Sequence, residues 1–313
     1  MASSTVSVTE GEASFSVRIA ETNSKIPCKT WYKIFGSLNS DHRPLIVLHG
    51  GPGFPHHYLL NLADLTLKHD IPVVLYDQLG TGNSTRLPDK DNKDFWTINL
   101  FLSQLERLVR HLGLEGGYDL MGHSWGGMLA ATYASRQPVG LQRLIIWSSP
   151  AAARLWVEAQ TTLRATLPQD LQDALIAGED KGSDLNDQKA YENALQVYTS
   201  RFGIRMQPFP AAFLEAVAIA EKDLTARRVL LGLHTFKIVG TMRTWSMIED
   251  AENIRVPTLL LNGKYDQAQN STMEPYSKRI PEVKWVQLAE SSHMAHFEEH
   301  ERFVAVVADF LQI

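Results

Sequence analysis

Short apolar runs bounded by turn residues recur along this chain. They are PLIVLHG (44–50), PVVLYDQ (72–78), YDLMGHS (118–124), LQRLIIWSS (141–149), VPTLLLNG (256–263) and VKWVQLAE (283–290). Their length and β-branched content predict buried parallel strands. Two earlier segments, ASFSVRIA (13–20) and CKTWYKIFG (28–36), alternate apolar with polar and predict an antiparallel pair. Between the runs the apolar spacing changes to three and four. FWTINLFLSQLERLVRHLGL (95–114) is the clearest such stretch and stops at a glycine; GMLAATYASRQP and HFEEHERFVAVVADFLQ also read as helices. Strands alternating with helices predict a doubly wound α/β sheet.

The alternation breaks between residues 150 and 242. ARLWVEAQTTLRATLP, DQKAYENALQVYTSRFG and PAAFLEAVAIAEKDLTARRVLLGL read as helices, with no convincing strand among them. The strand rhythm then resumes at VPTLLLNG, so a helical cap inserted into the sheet domain is a better reading than a second sequential domain. The expected division is a core of residues 1–149 plus 243–313 and a cap of residues 150–242. No internal repeat or low-complexity tract is visible.

Composition narrows the function classes. The chain has 313 residues, 44% hydrophobic and 21% charged, as in ordinary globular proteins. Its net charge of −5 offers no electrostatic footprint for nucleic acid or an anionic membrane. No apolar run reaches the ~18 residues that a membrane span requires. The N-terminal MASSTVSVTEGEASF lacks the charged and apolar regions of a signal peptide. Cys28 is the single cysteine, so no intrachain disulfide forms. A cytoplasmic protein is expected; the oligomeric state is not legible.

The chemistry begins at Gly122-His123-Ser124-Trp125-Gly126. It fits the G-x-S-x-G nucleophile elbow, in which a sharp strand-to-helix turn holds a serine above the sheet edge at a helix N-terminus. The motif alone is weak; its place between an apolar strand and a helix strengthens it. VLHGGPGFPHHY follows another strand and predicts an oxyanion loop, with backbone N–H groups of Gly51 and Trp125 as donors. Pro52 and Pro55 also suit a plain loop, and His56 and His57 read as loop residues. Asp266 closes a late strand and His293 follows the next one. The order serine, aspartate, histidine is that of an α/β-hydrolase triad, with His293 as base and Asp266 orienting it. His296 is the rival base, but lies nearer the following helix. His293, His296, His300, Glu298 and Glu299 also raise a metal site, against which no second ligand cluster stands in support. His42, His69, His111 and His234 read as ordinary surface or core residues.

HGGPG, DQLGTGNS, GHSWGG, GKYD and SSHMAH together resemble the proline iminopeptidase family of α/β-hydrolases. FWTINLF, SSPAAARLWVEA, LRATLP and HTFKIVGTMRTW are similar to stretches of the L-amino acid amidases in that family. The resemblance covers the chain after about residue 12. It implies an α/β-hydrolase fold, a mostly parallel sheet flanked by helices with an inserted helical cap. It also implies Ser124, Asp266 and His293 as triad, Gly51 and Trp125 as oxyanion donors, and no metal or organic cofactor. The implied activity is hydrolysis of an amide or peptide bond of a small aminoacyl substrate. The sequence departs from the family where carboxylates hold the substrate ammonium: Gln267 and Thr235 occupy those positions. An ester, lactone or amine-blocked amide is therefore the alternative substrate, and a non-catalytic hydrolase-fold binder a second alternative. Glu158, Glu192, Glu215, Glu221 and Asp223 are candidate replacements, each also readable as a solvated helix-face residue.

Overall fold

The computed structural model describes residues 6–18, 24–180 and 185–312. Eight strands form one sheet in the order β1-β2-β4-β3-β5-β6-β7-β8. They are β1 (Val8–Arg18), β2 (Lys25–Phe35), β3 (Leu45–Leu48), β4 (Val73–Tyr76), β5 (Tyr118–His123), β6 (Leu141–Trp147), β7 (Thr258–Gly263) and β8 (Val283–Leu288). β1 and β2 pair antiparallel, as does β2 with β4; the remaining neighbours are parallel. All six apolar runs are strands. β1 starts earlier than the alternation predicted, through the exposed VTEGE, because pairing with β2 holds residues that bury little. Ile19 and Ala20, read as part of that strand, lie outside the described residues.

The unbroken apolar character of the central strands follows from their two covered faces. Ile46, Leu48, Leu120, Ile146 and Leu260 enter one core cluster; Leu45, Val47, Met121, Ile145, Leu259 and Leu261 enter the other. Successive side chains alternate between the faces. α1 (Ala63–His69) and α11 (His300–Gln312) cover one face, and α2 (Ile98–His111) and α3 (Trp125–Ala134) the other. The Thr97 hydroxyl caps α2 by accepting from Leu100 N, and Gly113 at φ +68° follows its end. β8 departs from the expectation of a fully buried strand. It has a neighbour on one side alone and is half-exposed along most of its length.

Between β6 and β7 the described residues form helices and tight turns: α4 (Ala153–Arg164), α5 (Gln169–Asp180), α6 (Leu185–Tyr198), a π-helical turn Thr199–Gly203, α7 (Ala211–Ala220) and α8 (Thr225–Leu230). The stretch read as one helix over 210–233 is two. The Asp223 carboxylate accepts from Thr225 N, a local bond that competes with helix continuation. The two ends of the excursion meet: Ala152 and Ser246 form an antiparallel bridge, flanked by Ala153 N to Trp245 O (3.0 Å) and Met247 N to Ala151 O (2.8 Å). Leu163, Leu167, Leu175, Ala194, Tyr198 and Phe236 give the excursion an apolar cluster of its own. α9 (Asn270–Arg279) and the short α10 (Ala295–Glu298) complete the chain order before α11.

Candidate active site

Parallel strands in register deliver their following loops to one edge of the sheet. Leu48 of β3 faces Gly122 of β5, His123 faces Trp147 of β6, Trp147 faces Leu261 of β7, and Gly263 faces Leu288 of β8. The glycine loop, Ser124, Ser148, Asp266 and His293 therefore emerge side by side, although they span most of the sequence.

Ser124 occupies the turn between β5 and α3 with φ 55° and ψ −119°, a conformation that non-glycine residues rarely adopt. The flanking glycines make the turn possible. A Cβ on Gly122 would strike the carbonyl of Gly126, and one on Gly126 would strike that of Leu48. α3 begins at Trp125, so the first N–H groups of the helix lack intrahelical acceptors and point toward the serine.

Asp266 and His293 meet at the neighbouring strand ends. Nδ1–H of His293 donates to Asp266 Oδ1 at 2.7 Å, and both side chains are buried. A carboxylate only accepts, so this bond leaves Nε2 of His293 with the free lone pair that a general base uses. Asp266 Oδ1 also accepts from Ala268 N at 2.7 Å, and Oδ2 from the Ser148 hydroxyl. The helical excursion holds this pair in place: the carbonyl of Phe202 accepts from Gln267 N (3.2 Å) and His293 N (3.3 Å). Behind His293, the Glu298 carboxylate accepts from Ser292 N and hydroxyl, both at 2.7 Å, and Glu299 from Glu290 N at 2.9 Å. Two of the residues that raised a metal site thus hold the His293 loop. Among the described residues one group of suitable ligands stands close together, Asp64, His300 and Glu301, and Lys68 pairs with both of its acids.

His296 is placed elsewhere. It is fully buried, its Nε2–H donates to Tyr58 O at 2.8 Å, and its ring lies 4.7 Å from that of Trp147. Burial pushes its pKa down to about 3.

Gly51 sits at φ +123° and, with Ser124 and Trp125, lines a cavity of about 130 Å³. Two residues that the sequence did not single out organise this wall. Gln78 donates from Nε2 to His49 O (2.8 Å) and accepts the Trp125 indole N–H (2.8 Å). His49 in turn accepts Gln78 N–H on Nε2 and donates from Nδ1 to Gly50 O, and burial lowers its pKa to about 4. Gln78 lies in DQLGTGNS, so the motif carried the signal while the role needed the fold.

Gln267 and Thr235 both reach the cavity, with Met128, Pro150, Ala153, Trp156, Arg227, Leu231, His234 and Ile238. His234, read as ordinary, is thus part of the wall. None of these lining residues is acidic. Glu158, Glu192, Glu215 and Glu221 are exposed, and Asp223 bonds to Thr225. A buried carboxylate does stand behind the wall: Glu179 Oε1 accepts from Thr235 N (2.7 Å) and Phe236 N (2.8 Å), while Oε2 is buried without a partner. A wider cleft of about 780 Å³ lies between β1 and α2, lined by Lys25, Asp89, Lys90 and Asp94 among others, and shares no lining residue with the Ser124 cavity.

The profile of the alpha/beta hydrolase fold family matches residues 43–300. The proline iminopeptidase of Heyndrickxia coagulans is 33% identical over 273 residues, 87% of this chain and 92% of that one. That of Saccharolobus solfataricus is 31% identical over 298 residues, 95% and 94% of the two chains. Among solved structures, VinJ superposes with a TM-score of 0.87 at 38% identity, covering 96% of this chain and 98% of its own. The Mycobacterium smegmatis proline iminopeptidase gives 0.83 at 38% identity, covering 96% and 97%. The chain belongs to the α/β-hydrolase family and, within it, to the proline iminopeptidase-like hydrolases. No helix among the described residues is long and apolar enough to cross a membrane.

Proposed function

We propose that this hydrolase cleaves an amide or peptide bond of a small aminoacyl substrate through an acyl-enzyme on Ser124. The observation that carries the reading is the His293–Asp266 bond of 2.7 Å at the same sheet edge as the strained Ser124. Ser124 Oγ attacks the carbonyl carbon while His293 Nε2 takes its proton. N–H groups of Gly51 and Trp125 receive the oxyanion. The carbonyl re-forms, the C–N bond breaks, and His293 gives its proton to the leaving amine. Water then attacks the ester by the same relay, releasing the acid and restoring Ser124. Residues 150–242 act as a cap over this site, supported by the paired ends at Ala152 and Ser246. Gln267 and Thr235 contact the substrate from the cavity wall.

A second reading is favoured because none of the described residues of the cavity wall is acidic. A buried ammonium without a counter-charge is costly, so an ester or amine-blocked amide fits the same machinery. The test compares L-proline p-nitroanilide, its N-acetylated form and a p-nitrophenyl ester, with Ser124→Ala as blank. Preference for the free amine supports aminopeptidase chemistry; preference for the blocked amide or ester supports the second reading. Turnover that persists in Ser124→Ala would refute both.

A further inference from the structure

Among the described residues lining the Ser124 cavity, Arg227 is the one whose side chain carries a fixed charge. It stands on α8, on the same wall as Leu231, Thr235 and Ile238. Its neighbour Arg228 reaches Asp91 at 3.9 Å, but the Arg227 guanidinium makes no ion pair or side-chain hydrogen bond with the described residues. Burial acts on it strongly enough to lower its pKa, with no carboxylate opposing the shift. The buried carboxylate of Glu179 spends one oxygen on the amides of Thr235 and Phe236 and does not line the cavity.

An arginine stays ionised in proteins, and a half-buried guanidinium without a counter-ion is an unsatisfied charge. Its planar fork matches a carboxylate with two parallel bonds. We infer that Arg227 is a specificity residue that binds a carboxylate on the substrate, so that the preferred amide or ester is anionic. This rests on the Ser124 cavity being the substrate site, and it names the charge that the second reading left open. A carboxylate meets Arg227 with the Trp125 and Trp156 rings beside it, whereas an ammonium meets a like charge in a cavity of about 130 Å³. The carboxylate belongs either to the acyl part or to the leaving group, and both present the same chemistry to the guanidinium.

Binding is measured in the Ser124→Ala protein, where turnover plays no part. Trp125 and Trp156 report occupancy by fluorescence during titration with n-butyrate, n-butylammonium and n-butanol. Butyrate should bind best. Arg227→Met in the same background should weaken it about tenfold or more, the scale of one charge-assisted bond, and Arg227→Lys should recover part of the loss. Butylammonium binding as well as butyrate would overturn the inference and point to the free oxygen of Glu179 instead. Unchanged butyrate affinity in a folded Arg227→Met protein would overturn it equally; should that variant unfold, the ligand comparison and Arg227→Lys still decide. With Ser124 intact, kcat/KM for N-acetyl-L-glutamyl against N-acetyl-L-glutaminyl p-nitroanilide tests the acyl side. N-acetylprolyl-glycine against N-acetylprolyl-glycinamide tests the leaving side. One of these two ratios should favour the anion and collapse in Arg227→Met. If neither does, the anionic substrate class is wrong even where Ser124 chemistry stands.

Discussion

The Tyr58 hydroxyl lies 2.9 Å from Nδ1 of His123, the residue before Ser124. The same hydroxyl accepts Gly50 N–H at 2.7 Å, and His123 Nε2–H donates to the carbonyl of His293 at 3.0 Å. The carbonyl can only accept, so His123 Nδ1 is the acceptor of the Tyr58 proton. One buried relay thus ties together the glycine loop, the serine turn and the loop that carries His293.

Tyr58→Phe keeps the ring and removes the hinge of that relay. It strands Gly50 N–H and His123 Nδ1 in a dry interior, at about 1–3 kcal/mol for each unsatisfied group. Urea unfolding should register a loss of that order, and kcat should fall more than KM rises. A fully active Phe variant of parental stability would show that the relay positions nothing.

The two rival histidines should separate cleanly. His293→Ala should lower turnover by roughly 10⁴-fold or more, as loss of a general base does in serine hydrolases. His296→Ala should destabilise the fold by opening a cavity beside Trp147, while its folded fraction keeps activity within about tenfold of the parent. Steady-state rates corrected for folded fraction decide it; the reverse ranking would transfer the base role to His296.

Gln78 predicts a positioning effect without contact to the cleaved bond. Gln78→Met removes the acceptor of the Trp125 indole and the donor to His49 O. A loss in kcat/KM of about ten- to a hundredfold is expected, smaller than deleting an oxyanion donor outright. Covalent labelling of Ser124 by a fluorophosphonate should slow in parallel; unchanged labelling would place Gln78 outside the site.

Acid stability follows from the buried imidazoles. Burial holds His49 at about 4 and His296 at about 3, below the ordinary 6.5, and also drives His123 well below it. Below pH 6.5 the unfolded chain therefore binds more protons than the folded one, and stability falls as the pH drops toward 4. Asp119, raised by burial to about 6, acts in the opposite sense over part of that range and offsets some of the loss. The melting temperature should decrease from pH 6.5 to 4, less steeply in His296→Asn. A melting temperature that rises on acidification would contradict the assignment of these histidines as buried and neutral.

The sequence by itself determined the strands, their parallel packing and the elbow around Ser124. Each rests on a short-range rule: branched apolar runs for strands covered on both faces, and glycines where a Cβ cannot fit. It also singled out Asp266 and His293, because residues that close parallel strands must reach the same sheet edge. The tertiary structure decided what depends on approach between distant segments. Tyr58, Gln78 and Glu179 acquire partners 65, 47 and 56 residues away, and no local pattern encodes such pairings. The same holds for the break at Asp223 and for the cavity wall. A helix period gives the spacing along α8 but not which face carries Arg227 toward Ser124, and His234 lies beyond the helix end; packing of the helical excursion against the sheet edge fixes both directions.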